Sequence, residues 1–320
     1  MEFVFAPGYD EPMEAAAFNA LIILGPTASG KTRLGVELAA ELDAEIVSAD
    51  SRQVYRGLDI GSGKDLDEYV VEGRAISYHL IDIVDLDTEY SVYRYQRDFH
   101  VVFEELTSRA VLPIVVGGTG LYLDAVLESY RMVEVPENAG LRRELESCSE
   151  VDLAARLRSV KPELHNTTDL TDRTRMVRAL EIALYSRSNP PCPAPDIRPL
   201  VVGTRWEREE LRRRIRRRLK SRLDAGLIEE VERLLARGVG MDKLRFLGLE
   251  YRHVSEYLSG AIKNRNDLLQ KLGSAICRFA MRQDTWFRRM ERNGIEIHWI
   301  DRSDPDAAKA VYHEKWHARP

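Results

Sequence analysis

Cysteine is scarce. Only Cys148, Cys192 and Cys277 occur in 320 residues, far apart and without a CxxC pair. That spacing excludes a disulfide framework and a compact zinc module, and it fits a reducing cytosol, so a cytoplasmic location is expected. No apolar run approaches the roughly 18 residues that a membrane-spanning helix needs. Residues 1–17 lack the basic start and apolar core of a signal peptide. Positive charge is not in excess either: 47 basic against 52 acidic residues leave a net charge of −5. Any nucleic acid partner must therefore be held by a local basic surface. With no internal repeat and no coiled-coil heptad, a monomer is expected.

What is present describes an ordinary folded chain, 44% hydrophobic and 31% charged. Met1 to Ala17 mixes proline, glycine and acids and reads as a frayed leader. Ala20 to Leu24 is a short apolar run that ends at glycine, the mark of a buried parallel strand. The segment after it carries Leu34, Leu38 and Leu42 at helical spacing. Ala44 to Ala49 and Val111 to Val116 repeat the strand pattern, with a helical stretch from Tyr90 to Arg109 between them. Strands alternating with helices indicate an α/β fold with a parallel sheet. From Arg131 to Asn189 the sequence turns to charged helices, and strand-like sequence returns at Leu200 to Val202, after the proline-rich loop Asn189–Pro195. The expected organisation is a leader (1–17), a core domain (18–130 and 191–303), a helical insertion (131–190) and a C-terminal tail (304–320).

Between the first strand and the first helix lies a complete GxxxxGK[ST] motif: Gly25, Pro26, Thr27, Ala28, Ser29, Gly30, Lys31 and Thr32. Its glycines allow a backbone curl that turns several N–H groups inward, and the helix that follows adds the positive end of its dipole. Lys31 would neutralise phosphate oxygens, and the Thr32 hydroxyl would serve as a ligand for Mg²⁺. The bland alternative is a tight glycine turn, but the strand–loop–helix setting favours diphosphate or nucleotide binding. The fold class is therefore a P-loop NTPase-like parallel sheet flanked by helices. The motif does not say which phosphate is bound.

Directly after the second strand comes Asp50, in the run Ser48 to Lys64. In an open parallel sheet the loops at the carboxyl ends of neighbouring strands converge on one crevice, so Asp50 should face the phosphate loop. There it could act as a general base or organise a metal; the alternative is an aspartate capping a helix. The third strand ends in Gly117, Gly118 and Thr119, where the backbone can approach a ligand closely and Thr119 offers a hydroxyl.

Taken together, Gly25–Thr32, Asp50-Ser-Arg-Gln-Val-Tyr55, Asp59-Ile-Gly61, His79–Ile83, Tyr90-Ser91, Gly117–Tyr122, Arg175–Glu181, Arg282-Gln283 and Thr285-Trp286 stand in the order seen in tRNA dimethylallyltransferases. The chain resembles that family over roughly residues 20–300. The resemblance implies that the loop holds the diphosphate of dimethylallyl diphosphate rather than ATP. It also implies that the acceptor is the N6 amine of the adenosine 3′ to the anticodon in tRNA. Asp50 matches the family's base, Thr119 a residue at the acceptor and active site, and Arg214 a residue near the diphosphate. The positions implied to meet tRNA are Asp50, Ser51, Arg52, Gln53, Thr119, Arg142, Arg175, Arg178, Arg245, Arg252, Arg282 and Gln283.

Ten Arg or Lys residues fall within the eighteen positions from Arg205 to Arg222, a solvated helix face or an RNA-contacting one, with Arg212 and Arg216 placed to meet RNA backbone. Against the family pattern, Cys277 and Met281 replace basic residues, two extra residues separate Gly248 from Tyr251, and Asp65 stands where proline is usual. The insertion is also short. These departures read as confined to the RNA-facing half, with the diphosphate half intact. The alternatives are prenylation of free adenine nucleotides, a P-loop nucleotide kinase, and a non-catalytic RNA- or diphosphate-binding relative.

Overall fold

A computed structural model describes residues 17–127, 132–160, 170, 172–189 and 193–317. The expected leader therefore lies outside the described residues apart from Ala17, as does Cys192. The apolar run at the start is strand β1, Ala20–Leu24, buried along its whole length. It pairs in parallel with β6 (Pro113–Gly117) on one side and β7 (Pro199–Arg205) on the other. Adding β2 (Glu45–Ala49), β5 (Tyr78–His79) and β8 (His298–Asp301) gives a six-stranded parallel sheet in the order β5-β2-β6-β1-β7-β8. A separate antiparallel pair, β3 (Val70–Val71) and β4 (Arg74–Ala75), lies in the connection between β2 and β5.

Register explains why the sheet makes a site. Leu24 lies opposite both Gly117 and Gly203, and Ala49 lies opposite Gly117. The strands β2, β6 and β1 thus end flush while β7 runs two residues further, and the loops that follow them leave the sheet side by side. The strands themselves read as unbroken apolar runs because both faces are covered. Ile22, Val47, Val115 and Val201 point to one core, while Ile23, Ile46, Ile114 and Val202 point to the other, as the two-residue pleat requires.

On the second of these faces lie α1 (Lys31–Leu42), through Leu34 and Leu38, and α12 (Pro305–His317), through Tyr312. The segment expected as a tail thus includes a helix whose Tyr312 ring sits 5.4 Å, edge-on, from Phe18. The first face is covered by α2 (Val92–Ser108), α3 (Gly120–Leu127) and the helices after β7. These are α7 (Arg208–Asp224), α8 (Leu227–Ala236), α9 (Met241–Leu247), α10 (Leu249–Leu258) and α11 (Arg265–Arg292). In α7 the stripe Leu211, Ile215, Leu219 and Leu223 is buried, as its four-residue spacing predicts.

The chain divides into two compact units, residues 1–129 with 195–320, and residues 130–194. Within the second, α4 (Ala139–Glu146), α5 (Glu150–Val160) and α6 (Arg173–Ser188) bury Leu145, Leu153, Leu157, Met176 and Leu180 in a core of their own. No strand occurs among the described residues of this unit.

Candidate active site

At the end of β1 the phosphate loop curls through two left-handed residues, Ala28 (φ 63°) and Gly30 (φ 90°). Helix α1 begins at Lys31 with no side-chain cap, which leaves its first amide donors without an internal acceptor. Neighbouring elements hold the loop from outside. The buried Ser29 hydroxyl accepts from Thr204 Oγ1 of β7 at 2.9 Å, and the Ser29 carbonyl accepts from Trp206 Nε1 at 2.8 Å. Arg214 Nε of α7 donates to the Ala28 carbonyl at 2.9 Å, and its guanidinium lies 4.1 Å from the centre of the Trp206 ring. Arg214, expected near the diphosphate, is thus in direct contact with the loop.

Gln283 of α11 joins two loops. Its Oε1 accepts from the Thr27 N–H and its Nε2 donates to the Gly118 carbonyl, both at 2.8 Å. A Cβ at Gly118 would stand 2.5 Å from Gln283 Nε2 and 2.9 Å from the Gly25 carbonyl, so only glycine permits this approach of the β6 loop to the phosphate loop. Pro26 supplies a carbonyl to Lys31 Nζ at 3.3 Å. Burial, then the guanidinium of Arg218, lower the Lys31 ammonium to about 8; Arg222 adds to this and Asp50 opposes it. Thr32 follows in the first turn of α1, half-buried.

Asp50 closes β2. Its Oδ1 accepts from the Arg52 N–H at 2.9 Å, and no helix follows, so the aspartate caps a tight turn rather than a helix. Its charge is felt at Lys31 and at the Tyr122 hydroxyl, whose ionisation is driven up by burial first and also by Tyr55 and Asp50. Thr119, from the β6 loop, reaches the same turn: its Oγ1 accepts from the Ser51 N–H at 3.2 Å, and its own N–H donates to Ala49. The carboxylate, the threonine hydroxyl and the phosphate loop thus occupy one sheet edge. Gln53 is buried, with its amide occupied by Ser48 (2.8 Å) and the Gly63 carbonyl (3.0 Å).

Two buried charges that the sequence reading passed over hold the rest of this loop. The Glu230 carboxylate of α8 accepts from the N–H groups of Asp59 (3.1 Å), Ile60 (2.7 Å) and Gly61 (3.0 Å), and from the Tyr251 hydroxyl (2.8 Å). The Lys64 ammonium, 1% exposed, donates to the Tyr55 carbonyl and is paired with Asp59 and Asp82. Each charge is fully partnered, which is the condition for burying it.

Helix α7 also carries Arg218 and Arg222, one and two turns beyond Arg214. Both pair with Asp65, one of the positions read above as a departure. Burial raises the Asp65 carboxyl, but the two guanidinium groups outweigh it and hold the acid below its ordinary range. Arg218 in turn depresses Lys31, so Asp65 is paired with a guanidinium whose charge is felt at the phosphate loop. A signal was available, since Arg214, Arg218 and Arg222 recur at four-residue spacing.

The remaining basic positions are scattered. Arg245 pairs with Asp242, Arg252 with Glu256, and the exposed Arg282 lies 5.7 Å from the Phe279 ring centre. In the second unit, Arg142 and Arg178 both bind the buried Glu181, which also accepts from the Asn138 N–H. Burial pushes the Glu181 carboxyl up, but these donors outweigh it and bring it down to about 2. Arg175 of the same helix is exposed. Arg212 and Arg216 line a groove of about 730 Å³ between α7 and α11, with Cys277, Arg278 and Met281 on its other wall.

The family profile described as IPP transferase matches residues 53–290. The chain belongs to the IPP transferase family. A second profile, isopentenyl transferase, matches residues 18–81, which contain the phosphate loop and Asp50. Among IPP transferase relatives, a protein of Geotalea uraniireducens named tRNA dimethylallyltransferase 1 is 58% identical over 91% of this chain and 95% of its own length. A protein of the same name from Syntrophus aciditrophicus is 57% identical over 91% and 96%. The crystal structure of the tRNA isopentenylpyrophosphate transferase of Bacillus halodurans superposes with a TM-score of 0.65 at 31% identity, covering 93% of this chain and 94% of that one. A eukaryotic dimethylallyltransferase acting on tRNA shares the fold, with a TM-score of 0.75 at 20% identity over 92% and 77%.

Proposed function

We propose that this protein transfers a dimethylallyl group from dimethylallyl diphosphate to N6 of the adenosine 3′ to the anticodon in tRNA, in the cytoplasm, releasing diphosphate. One observation carries the reading: in a chain of this family, a diphosphate cradle and a carboxylate meet at one flush sheet edge. The allylic C–O bond breaks and its electron pair leaves with the diphosphate, while adenine N6 forms the new bond to the allylic carbon. Lys31, Arg214 and the loop amides receive the departing negative charge, the interaction expected to lower the barrier most. Asp50 takes the N6 proton. Its Oδ1 is engaged by the Arg52 N–H, so Oδ2 is the oxygen assigned that proton. Thr119 orients the acceptor from the neighbouring loop, and the target base leaves its stack to reach it.

Thr32 is assigned as the protein's ligand to Mg²⁺. A single hydroxyl beside a phosphate cradle suits this ion, which is bound mainly through substrate phosphates and water. Among the described residues no three or more His, Cys, Asp or Glu gather into a cage, so the donor set is of this sparse kind. The ion would spread the charge of the departing diphosphate.

Incubation with labelled dimethylallyl diphosphate, offering bulk tRNA and AMP in parallel, tests the reading. Label is expected in tRNA. Label in AMP alone would reassign the acceptor to a free adenine nucleotide, and label in neither would remove the transferase reading.

A further inference from the structure

Close to Asp50, the turn that carries Arg52 meets helix α9. There Phe246 keeps 54% of its surface exposed, one of the most open large apolar side chains among the described residues. A single exposed ring is ordinary on a protein surface, and what marks this one is the charge around it. The surroundings of this ring are cationic. The Arg52 guanidinium lies 5.3 Å and the Lys243 ammonium 5.7 Å from its centre, with Lys243 also 5.9 Å from the Tyr55 ring. Arg245, next in sequence, is paired with Asp242 at 3.0 Å, so that pair is neutral overall. Arg52 and Lys243 have no carboxylate partner among the described residues, which leaves this patch net positive.

A flat apolar face, a planar guanidinium and an ammonium without a carboxylate partner answer two parts of an unstacked nucleotide, its base and its phosphate. The base stacks on the ring and guanidinium, and the ammonium meets the phosphate. A protein partner would have less use for two unpaired cations around one ring. We propose that Phe246, with Arg52 and Lys243, forms a stacking platform for the base that flanks the target adenosine in the anticodon loop. Phe246 is then a positioning residue: it holds the neighbouring nucleotide while Asp50, two residues before Arg52, works on the adenine amine. The proposal rests on the tRNA reading above and adds the group that holds the neighbour of the flipped base.

A synthetic anticodon stem-loop with 2-aminopurine on either side of the target adenosine provides the test. Wild-type protein is expected to quench one of the two reporters through stacking. Phe246→Ala and Phe246→Leu should both lose that quench and raise KM for tRNA about tenfold, as expected for one lost base–aromatic stack. kcat at saturating tRNA should stay within about twofold, and so should the affinity for dimethylallyl diphosphate. Phe246→Tyr should restore both quench and KM. An unchanged quench and KM in Phe246→Ala, in a wild-type background that modifies tRNA, overturns the platform alone. A wild-type protein that neither binds nor modifies the stem-loop overturns the tRNA reading along with it. A Leu variant that behaves as wild type also overturns the proposal, because apolar contact would then suffice.

Discussion

Lys31 is a lysine that folding makes easier to deprotonate. Its ordinary value of 10.5 falls to about 8, because burial and the nearby Arg218 disfavour the ammonium. The charged form predominates below pH 8 and fades above it, and only the charged form attracts a diphosphate. The dissociation constant for dimethylallyl diphosphate should therefore be level below pH 8 and rise above it, approaching about tenfold per pH unit. Lys31→Arg should remove that break, since a guanidinium stays charged throughout. A level profile across the same range in the wild type would take Lys31 out of the cradle. Asp50 invites a sharper separation of roles. Asp50→Asn retains an Oδ1 for the Arg52 N–H but cannot accept the amine's proton. We expect transfer to fall by about 10²- to 10⁴-fold with diphosphate affinity little changed. If the two fell together, Asp50 would be a structural cap.

At the scale of elements, the loop from Asp59 to Lys64 owes its shape to a charge in a helix far along the chain. Glu230 binds three consecutive backbone N–H groups of that loop and the Tyr251 hydroxyl. A Cβ on Gly61 would stand 2.5 Å from the Tyr251 ring, so the glycine of the Asp59-Ile-Gly61 motif makes room for this clamp. Glu230→Gln keeps the shape but replaces a charged acceptor with a neutral one carrying a misplaced donor. It should lower stability by about 2 kcal/mol in denaturant titrations. A change near zero would mean that water serves the loop equally well. The clamp was faintly legible: in Leu227, Glu230, Val231 and Leu234 the acid occupies a core position of an otherwise apolar stripe. Its partner could not be read, because a periodicity tells which side is buried and not against what. The two-residue β5 and the β3–β4 pair escaped notice for a simpler reason, since so few residues carry no pattern.

The whole molecule carries a net charge of −5, so affinity for a polyanion must come from a few correctly placed cations. The arginines of the helical unit divide accordingly. Arg178 is bound to Glu181 and to the Val135 carbonyl, whereas Arg175 is exposed. Arg175→Ala should reduce the slope of log K for tRNA against log salt by about 1 and leave the melting temperature unchanged. Arg178→Ala should cost about 1–2 kcal/mol of stability in the unit formed by residues 130–194, because it strips a donor from a buried carboxylate. If Arg175→Ala left the slope unaltered, that position would lose its assignment to RNA.

Four strands of the sheet, the helices that alternate with them, the phosphate loop and the carboxylate behind the second strand were decided by sequence alone. Each rests on neighbours in the chain: apolar runs of strand length, glycines at fixed offsets, and a helix beginning where the loop ends. The tertiary structure alone decided which charges face one another. Asp65 meets Arg218 and Arg222 across more than 150 positions, Glu230 closes on Gly61, and Gln283 ties Thr27 to Gly118. Such pairings depend on where helices land on the sheet, which is set by the packing of their apolar faces. Even where one partner carries a helical spacing, as Arg214, Arg218 and Arg222 do, the sequence leaves no trace of the residue it meets.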